Sequence, residues 1–306
     1  MRAFSIWLTA AAAVLLISSS PEALANRRAC LNTEQHFAQI ERYASTVEIN
    51  IKLFEAAKHG CAELAQRVLD RGASLDARDG LGARPLARAA EAGQTEIVEL
   101  FLDRGAAIDA RNLDGSTALY KAAESGRAAV VRLLVERGAD VNLPGRSDAT
   151  SVMAASYMGS EPIVKFLIEH GADPNGIDET KKGALVYAAG RGFTPVAKLL
   201  LDNGVDVNTR YGHGLTALMW AAGHSSDAGT RDIVQVIDLL LARGAGIDDQ
   251  DEQGRTALMI AAELDHKAAV DALIGRGADR TLRDKEGKTA ADLTHDDALR
   301  AKLAAK

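Results

Sequence analysis

Histidine, cysteine and acidic side chains are the groups in this chain whose chemistry could serve catalysis or metal binding. A protein zinc site normally needs three or four ligands, and the seven histidines form no HExxH motif or closely paired ligands. His213 and His224 could approach each other near Asp227. We expect no metal site, and an enzyme with a cryptic site around His213 and His224 is the least favoured interpretation.

Phosphate-binding and calcium-binding motifs are the next possibilities. Residues 248–252 are rich in acids but lack the spacing of a calcium-binding loop. The glycines are spaced as in turns and helix ends rather than as in a phosphate loop. We therefore expect no cofactor and no catalytic residues, so the chain is not predicted to be an enzyme.

Composition and charge limit the partners. The 306 residues include 42 acids and 36 Lys or Arg residues, for a formal net charge of −6. Nucleic-acid binding depends on a concentrated basic surface, and the sequence has no basic stripe, so we expect no nucleic-acid partner. Apolar residues make up 47% of the chain but aromatic residues only 4%. A core of Ala, Leu and Val is typical of closely packed helix pairs.

The stretch 114–142 is the unit from which most of the chain is built. Thr117 can cap a first helix, which has an apolar stripe starting at Leu119 and ends at Gly126. A second helix ends before Gly138, where a left-handed residue is needed. Each helix has about nine or ten residues, fewer than the roughly 12–15 that are stable alone in water. Such a unit must stack on copies of itself.

The helix-ending glycine recurs with its flanking residues, as in RGASLDAR, RGADVN and HGADPN. Its spacing is 33 residues, with one step of 40 before Gly244, at Gly72, Gly105, Gly138, Gly171, Gly204, Gly244 and Gly277. A 33-residue period with this pattern resembles the ankyrin repeat family, whose unit is a β-turn plus two helices. The resemblance implies an all-α repeat solenoid with about seven repeats. One departure is that the His of the family's Thr-Pro-Leu-His motif is missing here.

The N-terminus has the features of a secretory signal peptide at residues 1–25. A positive charge at Arg2 precedes an apolar run, and Ala23-Leu24-Ala25 is a small-x-small cleavage pattern. An uncleaved membrane anchor is the alternative, although the run is shorter than the ~20 apolar residues that span a bilayer. We expect a periplasmic or secreted protein with no membrane contact after cleavage.

The mature chain is predicted to have three parts. Residues 26–47 form an N-terminal capping segment, where Phe37, Ile40 and Tyr43 lie at helical spacing. Residues 48–283 form the seven ankyrin repeats, and residues 284–306 a degenerate C-terminal capping repeat. The step of 40 places seven extra residues in the sixth repeat, in a stretch at 223–231 whose Ser, Gly, Asp and Thr residues indicate a solvated loop. Whether that loop contacts a partner stays open.

The two cysteines, Cys30 and Cys61, are both in the predicted mature chain. In an oxidising compartment an isolated pair tends to form a disulfide. A bridge would staple the capping segment to the first repeat. Two unpaired thiols are the alternative.

The resemblance also implies a binding surface. Ankyrin folds use a concave face, lined by hairpin tips and outward positions of the first helices, to bind other proteins. Carried over by position, the predicted partner-binding residues lie mainly in repeats four to six: Tyr157, Met158, Arg191, Tyr211, His213 and His224, with Arg146, Lys181 and Lys182 at adjoining tips. Interface centres are enriched in Tyr, Met and Arg, and these basic residues favour a partner with an acidic patch. Tyr187 and Trp220 are interpreted first as packing between repeats.

The sequence thus predicts a monomeric periplasmic ankyrin-repeat module that binds a partner protein through its concave face. An inhibitor or immunity protein and a scaffold for an envelope stress enzyme are both compatible with it. A bacterial effector acting on host proteins is the alternative, which the export signal disfavours.

Overall fold

A computed structural model describes residues 21–223 and 230–304, and in those ranges the chain is helical without β-strands. An N-terminal helix, α1 (Pro21–Ile40), precedes eight helix pairs, each of which we number as a repeat. The first helices of the pairs are α2 (Thr46–His59), α4 (Pro85–Ala92), α6 (Ala118–Glu124), α8 (Ser151–Tyr157), α10 (Ala184–Gly190), α12 (Ala217–Gly223), α14 (Ala257–Glu263) and α16 (Ala290–Leu293). The second helices are α3 (Ala62–Asp70), α5 (Thr95–Asp103), α7 (Ala128–Glu136), α9 (Glu161–Glu169), α11 (Thr194–Asp202), α13 (Thr230–Ala242), α15 (Lys267–Gly275) and α17 (Asp297–Ala304).

The pairs stack so that first helices pack on first helices and second helices on second helices. The two layers meet at a column of fully buried small residues: Ala56, Ala89, Ala122, Ala155, Ala188, Ala221 and Ala261. Small side chains let neighbouring backbones approach closely, and each short helix is stable because both of its sides are covered. The fold is therefore the solenoid that the 33-residue period predicts.

Local capping follows the sequence pattern. The hydroxyl of Thr117 accepts a hydrogen bond from the Tyr120 amide at 3.1 Å, at the start of α6. Thr256 does the same for Met259 at the start of α14. After α7, Gly138 has a φ of 89°, in the left-handed region that glycine adopts most easily. The predicted cap at Thr117 and helix end at Gly138 are confirmed.

Between repeats the chain forms turns whose tips hydrogen-bond to one another. In five cases an amide of one tip donates to a carbonyl of the preceding tip. These bonds are Leu113 N to Gly82 O, Glu179 N to Ser147 O, Gly212 N to Lys181 O, Glu252 N to His213 O and Lys285 N to Gln253 O, all at 2.9–3.1 Å. Among the described residues, these bonds join every pair of neighbouring tips along one edge of the solenoid except those of the third and fourth repeats. In the fourth and sixth repeats they include short 3₁₀ turns at Arg146–Asp148 and Gly212–Gly214.

The N-terminal end of the stack is covered by α1. A disulfide with an S–S distance of 2.09 Å joins Cys30 to Cys61, so the bridge favoured by the sequence is present. Phe37 is fully buried, and Glu41 forms an ion pair with Arg67 of α3 at 2.5 Å. The expectation that Tyr43 belongs to the capping helix is wrong, because α1 ends at Ile40 and Tyr43 is 82% exposed.

The C-terminal end is held by polar groups. A carboxylate oxygen of Asp265, after α14, accepts hydrogen bonds from the Thr294 hydroxyl at 2.5 Å and from the His295 amide at 3.1 Å. Lys267 forms an ion pair with Asp296 at 2.6 Å. Leu299 and Leu303 of α17 are also buried, so apolar packing as well as these polar groups holds the two short helices of the eighth repeat.

The sixth repeat is the irregular one. Residues 224–229 of the predicted loop lie outside the described residues. Its second helix, α13, has 13 residues, whereas the other complete second helices up to α15 have nine. Part of the insertion therefore lengthens a helix instead of forming only a loop. None of the described helices is long and apolar enough to cross a membrane.

Candidate protein-binding surface

The tips and the exposed sides of the first helices are the positions at which the sequence predicts a binding surface. In repeat four this surface presents Tyr157 and Met158, each nearly half exposed. The guanidinium carbon of Arg191 lies 4.4 Å from the ring centroid of Tyr157 and 5.5 Å from that of Phe193. Both distances are within cation–π range. Arg191 is thus held between two aromatic rings, and its buried Nε finds no acceptor among the described residues.

A second set of contacts continues this arrangement into repeats five and six. The Tyr187 ring meets the Tyr157 ring edge-on, with centroids 5.8 Å apart and an interplanar angle of 87°. The Tyr187 hydroxyl donates a hydrogen bond to the buried Asp178. On the other side, Lys182 Nζ lies 5.9 Å from the Tyr187 ring and 4.9 Å from the Trp220 ring. Tyr187 and Trp220 therefore pack between repeats, as expected, and also support a cation.

We call this run of rings and cations the aromatic–cation ladder. Its members in spatial order are Phe193, Arg191, Tyr157, Tyr187, Lys182 and Trp220. Burial, followed by the hydrogen bond to Asp178, raises the pKa of Tyr187 far above its usual range. Tyr187 therefore remains a neutral hydrogen-bond donor at any physiological pH. The ladder is a preformed surface, because each ring or cation is fixed by its neighbours.

The adjoining tips carry cations in a strained backbone conformation. Lys181 has a φ of 60°, and in the tips of the second and third repeats the same position is Gly82 and Gly115, with φ of 78° and 82°. A non-glycine residue in the left-handed region is uncommon and costs free energy. His213 has a φ of 61° in the tip of the sixth repeat. Side chains are thus present at tip positions where the backbone alone favours glycine.

The electrostatic character of this region differs from that of the acidic chain as a whole. Within the described part of the chain, no acidic oxygen lies within 4.0 Å of the cationic groups of Lys181, Lys182 or Arg191. Arg146 is 3.8 Å from Glu124, and its side chain is 60% exposed. Cations without acidic partners on a rigid aromatic support suit an acidic partner surface.

Comparison with known proteins identifies the family. A family model of ankyrin repeats matches in three copies, at residues 53–144, 151–237 and 227–295. The chain belongs to the ankyrin repeat family. Among solved structures, the crystal structure of the human ASB11 ankyrin repeat domain is similar, with 25% sequence identity and a TM-score of 0.65. That match covers 72% of this chain and 96% of the ASB11 chain. No curated protein matches this sequence.

Ankyrin repeats indicate a protein–protein interaction module, and they typically serve as binding scaffolds without catalysis. Of the residues that the sequence predicted for binding, Tyr157, Met158, Arg191 and Lys182 are brought together in or beside the ladder. Lys181, Arg146 and His213 lie at the tips, which the same surface includes.

The expectation that Tyr211 faces outward is wrong. The Tyr211 ring is buried and packs on Gly183, where an added Cβ would lie 2.8 Å from the ring. In other tips of this chain the same position holds an acid such as Asp178 or Asp251, whose carboxylate accepts amide hydrogen bonds within its own tip. Tyr211 occupies the same inward place, and burial raises its pKa to about 12. Alignment of the tip positions alone would have revealed this.

The histidine pair is only partly described. His213 is exposed, and its Nδ1 atom lies 3.7 Å from Oε2 of Glu252. His224 and Asp227 lie outside the described residues, so their approach to His213 is untested. Within the two described ranges, no three His, Cys, Asp or Glu side chains are grouped as metal ligands would be.

Two members of the site escaped the sequence analysis. Phe193 lies over Gly159, where an added Cβ would be 2.7 Å from the ring, so a glycine in one repeat makes room for an aromatic in the next. Asp178 fixes the Tyr187 hydroxyl while its other oxygen accepts the Thr180 and Lys182 amides. The pairing of Gly159 with Phe193, which lies 34 residues further along in the next repeat, is the signal that could have indicated the first of these contacts.

Proposed function

We propose that this protein is a monomeric, exported ankyrin-repeat module that binds an acidic surface of a partner protein on the aromatic–cation ladder and the neighbouring tips. Location in the bacterial periplasm is part of the proposal. In this proposal the protein itself catalyses no reaction.

The observation that carries the proposal is the position of Arg191 between Tyr157 and Phe193 without an acidic partner. An arginine fixed between rings loses little conformational entropy when it binds a carboxylate, and its planar group can form two parallel hydrogen bonds. Tyr and Arg are also the residue types that most often dominate binding energy at interfaces. A partner carboxylate placed on Arg191 would meet a donor that is already oriented.

Two features support export. The first 25 residues have the pattern of a cleaved signal peptide, and the disulfide between Cys30 and Cys61 is of the kind that persists in oxidising compartments. Cleavage after Ala25 would shorten α1 by five residues at its start but would leave Asn26, whose Oδ1 is 3.4 Å from His59 Nδ1.

The test begins with recovery of the partner from an envelope extract on the immobilised protein. Arg191→Ala together with Tyr157→Ala is expected to weaken the affinity by more than about 2 kcal/mol, as loss of interface anchors does. The measurement is isothermal titration calorimetry with the purified partner.

The matched control is Arg132→Ala, which removes another arginine that lies over a ring, at 4.6 Å from the centroid of Phe166, in the layer of second helices. Affinity should be unchanged in that variant. Equal losses from the two changes, or a loss in the control alone, would place the interface elsewhere.

Lys181→Gly separates binding from stability. Glycine relieves the left-handed strain at this tip, so the free energy of unfolding should rise by about 0.5–1 kcal/mol. Affinity for the acidic partner should fall, because the exposed cation is removed. A variant that is more stable and binds equally well would show that Lys181 is not part of the interface.

The remaining alternatives within this class differ in their effect on the partner. An inhibitor or immunity protein would suppress the partner's activity at one-to-one stoichiometry, whereas a scaffold for an envelope stress enzyme would leave that activity in place. Activity assays of the partner with and without this protein would distinguish the two roles.

A further inference from the structure

A groove with a cavity volume of about 960 Å³ lies at the other end of the same face, in the first three repeats. Its floor includes Val47, Ile51 and Phe54, which follow one another along a single side of α2. Val47 is 68% exposed and Ile51 49% exposed, although both are apolar. Such a stripe on a helix normally faces a protein core or a partner.

The groove exists because the first repeat is built differently from the others. The first helix α2 has 14 residues, whereas α4 has eight and α6 seven, and its additional turns occupy the place where the later repeats have a tip. The second repeat also has the small Ala92 at a position that Met158 and Arg191 occupy in repeats four and five. The space between α2 and the turn at 77–80 is therefore left open.

The row of hydrogen bonds between neighbouring tips ends at this groove. Leu113 N, Glu179 N and Gly212 N each donate to the preceding tip. Gly80 holds the equivalent position in the second repeat. The first repeat has no tip whose carbonyl could accept a hydrogen bond from the Gly80 amide. No acceptor for Gly80 N is found among the described residues. Gly80 is exposed and lines the groove. An extended chain could supply the missing carbonyl, as when a strand is added to an open edge.

The charges that line the groove are unbalanced. Its three acids are already paired: Asp79 and Glu91 with Arg88 at 2.5 and 2.7 Å, and Glu55 with Lys52 at 2.8 Å. Three cations of the lining, Lys58, Arg78 and Arg127, have no acidic oxygen of a described residue within 4.0 Å. Lys58 and Arg127 lie at the end of the groove that is nearest to the turns between first and second helices. Arg127 is held there by a hydrogen bond of 3.0 Å from its Nε to Glu91 O. The groove thus combines an apolar floor with a positive end.

We propose that this groove binds an extended segment of a partner protein in which apolar side chains are combined with at least one carboxylate. The apolar side chains cover the stripe on α2, a carbonyl accepts the Gly80 amide, and the carboxylate meets Lys58 and Arg127. The floor from Val47 to Lys58 is about 16 Å long at 1.5 Å per helical residue. At about 3.3 Å per extended residue, it accommodates roughly five residues of the partner.

The experiment uses phage-displayed random dodecapeptides as the probe, selected on the oxidised full-length chain. Enriched peptides are synthesised with fluorescein, and their affinity is measured by fluorescence polarisation. We expect enrichment of sequences that contain apolar and acidic residues together. Ile51→Asp and Lys58→Glu should each weaken the binding of these peptides at least tenfold, and neither should unfold the protein, because both positions are exposed on the helix.

Two further variants test the backbone contact. Gly80→Pro removes the amide donor and should weaken binding, whereas Gly80→Ala retains the donor and adds a methyl group where no atom lies within 4 Å, so it should bind normally. Circular dichroism verifies that each variant is folded. The matched charge control is Lys165→Glu on α9, whose exposed lysine lies in the layer of second helices, and it should have no effect.

The outcomes separate this site from the aromatic–cation ladder. Peptides that lose affinity in the α2 variants but bind Arg191→Ala normally support the groove. No enrichment, enrichment of peptides without acids, or peptides whose binding is insensitive to Ile51→Asp would overturn the proposal. Peptides that depend on Arg191 and not on Ile51 would also overturn it while leaving the function proposed for the ladder intact.

Discussion

The two ends of the solenoid are closed by different chemistry. At the N-terminus, α1 is joined to the first repeat by a disulfide and by the fully buried Phe37. At the C-terminus, the eighth repeat is attached without a covalent bridge, through hydrogen bonds and an ion pair around Asp265 and Asp296 and through the buried Leu299 and Leu303. A repeat protein must cover the apolar side of each terminal repeat. Both covers are partly apolar, but this chain adds a covalent bond at the end where the proposed groove lies and titratable polar groups at the opposite end.

Phe37→Ala should produce the largest loss. Truncation of a fully buried aromatic removes its apolar contacts and leaves a cavity, for a cost of about 3–5 kcal/mol in the free energy of unfolding. Urea denaturation followed by circular dichroism measures it. Tyr43→Ala serves as the control, and since Tyr43 is 82% exposed its effect should stay within about 0.5 kcal/mol. Similar losses from both would mean that α1 does not cover the stack through Phe37.

Removal of the disulfide comes next. Cys30 and Cys61 are separated by 31 residues, and the loop-entropy relation gives about 3–4 kcal/mol for a loop of this length. Cys30→Ser with Cys61→Ser should therefore shift the urea midpoint downward. Reductant should lower the midpoint of the natural protein and leave that of the double variant unchanged. A midpoint of the natural protein that is insensitive to reductant would show that the bridge does not stabilise this end.

A substitution midway along the solenoid tests whether the two ends unfold independently of the middle. Ala189 is fully buried next to Ala188 of the column of small residues, and Ala189→Leu should overpack the stack at a cost of about 1–3 kcal/mol. Because each repeat contacts only its neighbours, we expect hydrogen exchange to accelerate in repeats four to six while α1 stays protected. Uniform acceleration across the chain would mean that the solenoid unfolds as one unit.

Acid should release the C-terminal end alone. The Thr294 hydrogen bond is the main cause that lowers the pKa of Asp265 below its usual value of 3.8, and hydrogen bonds from the His295 and Asp296 amides lower it further. A carboxyl whose pKa is lowered in the folded state stabilises the fold fully above its unfolded pKa and loses that contribution as pH falls through the folded pKa. Protection factors of α17 amides should therefore fall below about pH 4, whereas those of α1 should persist. Asp265→Asn should reduce the protection of α17 at neutral pH, and equal protection there would contradict the assignment.

Much of the fold follows from the sequence because the repeat imposes it locally. The 33-residue period, the threonine cap at Thr117 and the left-handed Gly138 all depend on neighbouring residues. The ends were harder to predict, since they interrupt the period. Tyr43 continues the apolar spacing of Phe37 and Ile40, but α1 ends at Ile40 and turns into α2 through a cap at Ser45.

The residues of the candidate surface were predicted by position, and their exposure was predicted correctly only where the position in the repeat determines it. Tyr157 and Met158 are exposed because the first-helix position is outward in each repeat, whereas Tyr211 is buried because it replaces the inward carboxylate of a tip. The sandwich around Arg191 depends on contacts between Tyr157 and Phe193 in different repeats. The groove beside α2 arises from a missing tip, and the absence of a repeated element leaves no motif to recognise.

Because of the disulfide, the two ends of the solenoid should differ in their resistance to a pulling force. If the two termini were pulled apart, the loop between Cys30 and Cys61 could not extend, because its ends are covalently joined. The eighth repeat has only noncovalent contacts to resist the same force, namely hydrogen bonds, ion pairs and the packing of Leu299 and Leu303. Extension should therefore begin at the C-terminus and proceed toward the N-terminus, with about 110 Å of chain released for each 33-residue repeat. The groove beside α2 would be the last part of the molecule to yield to the load.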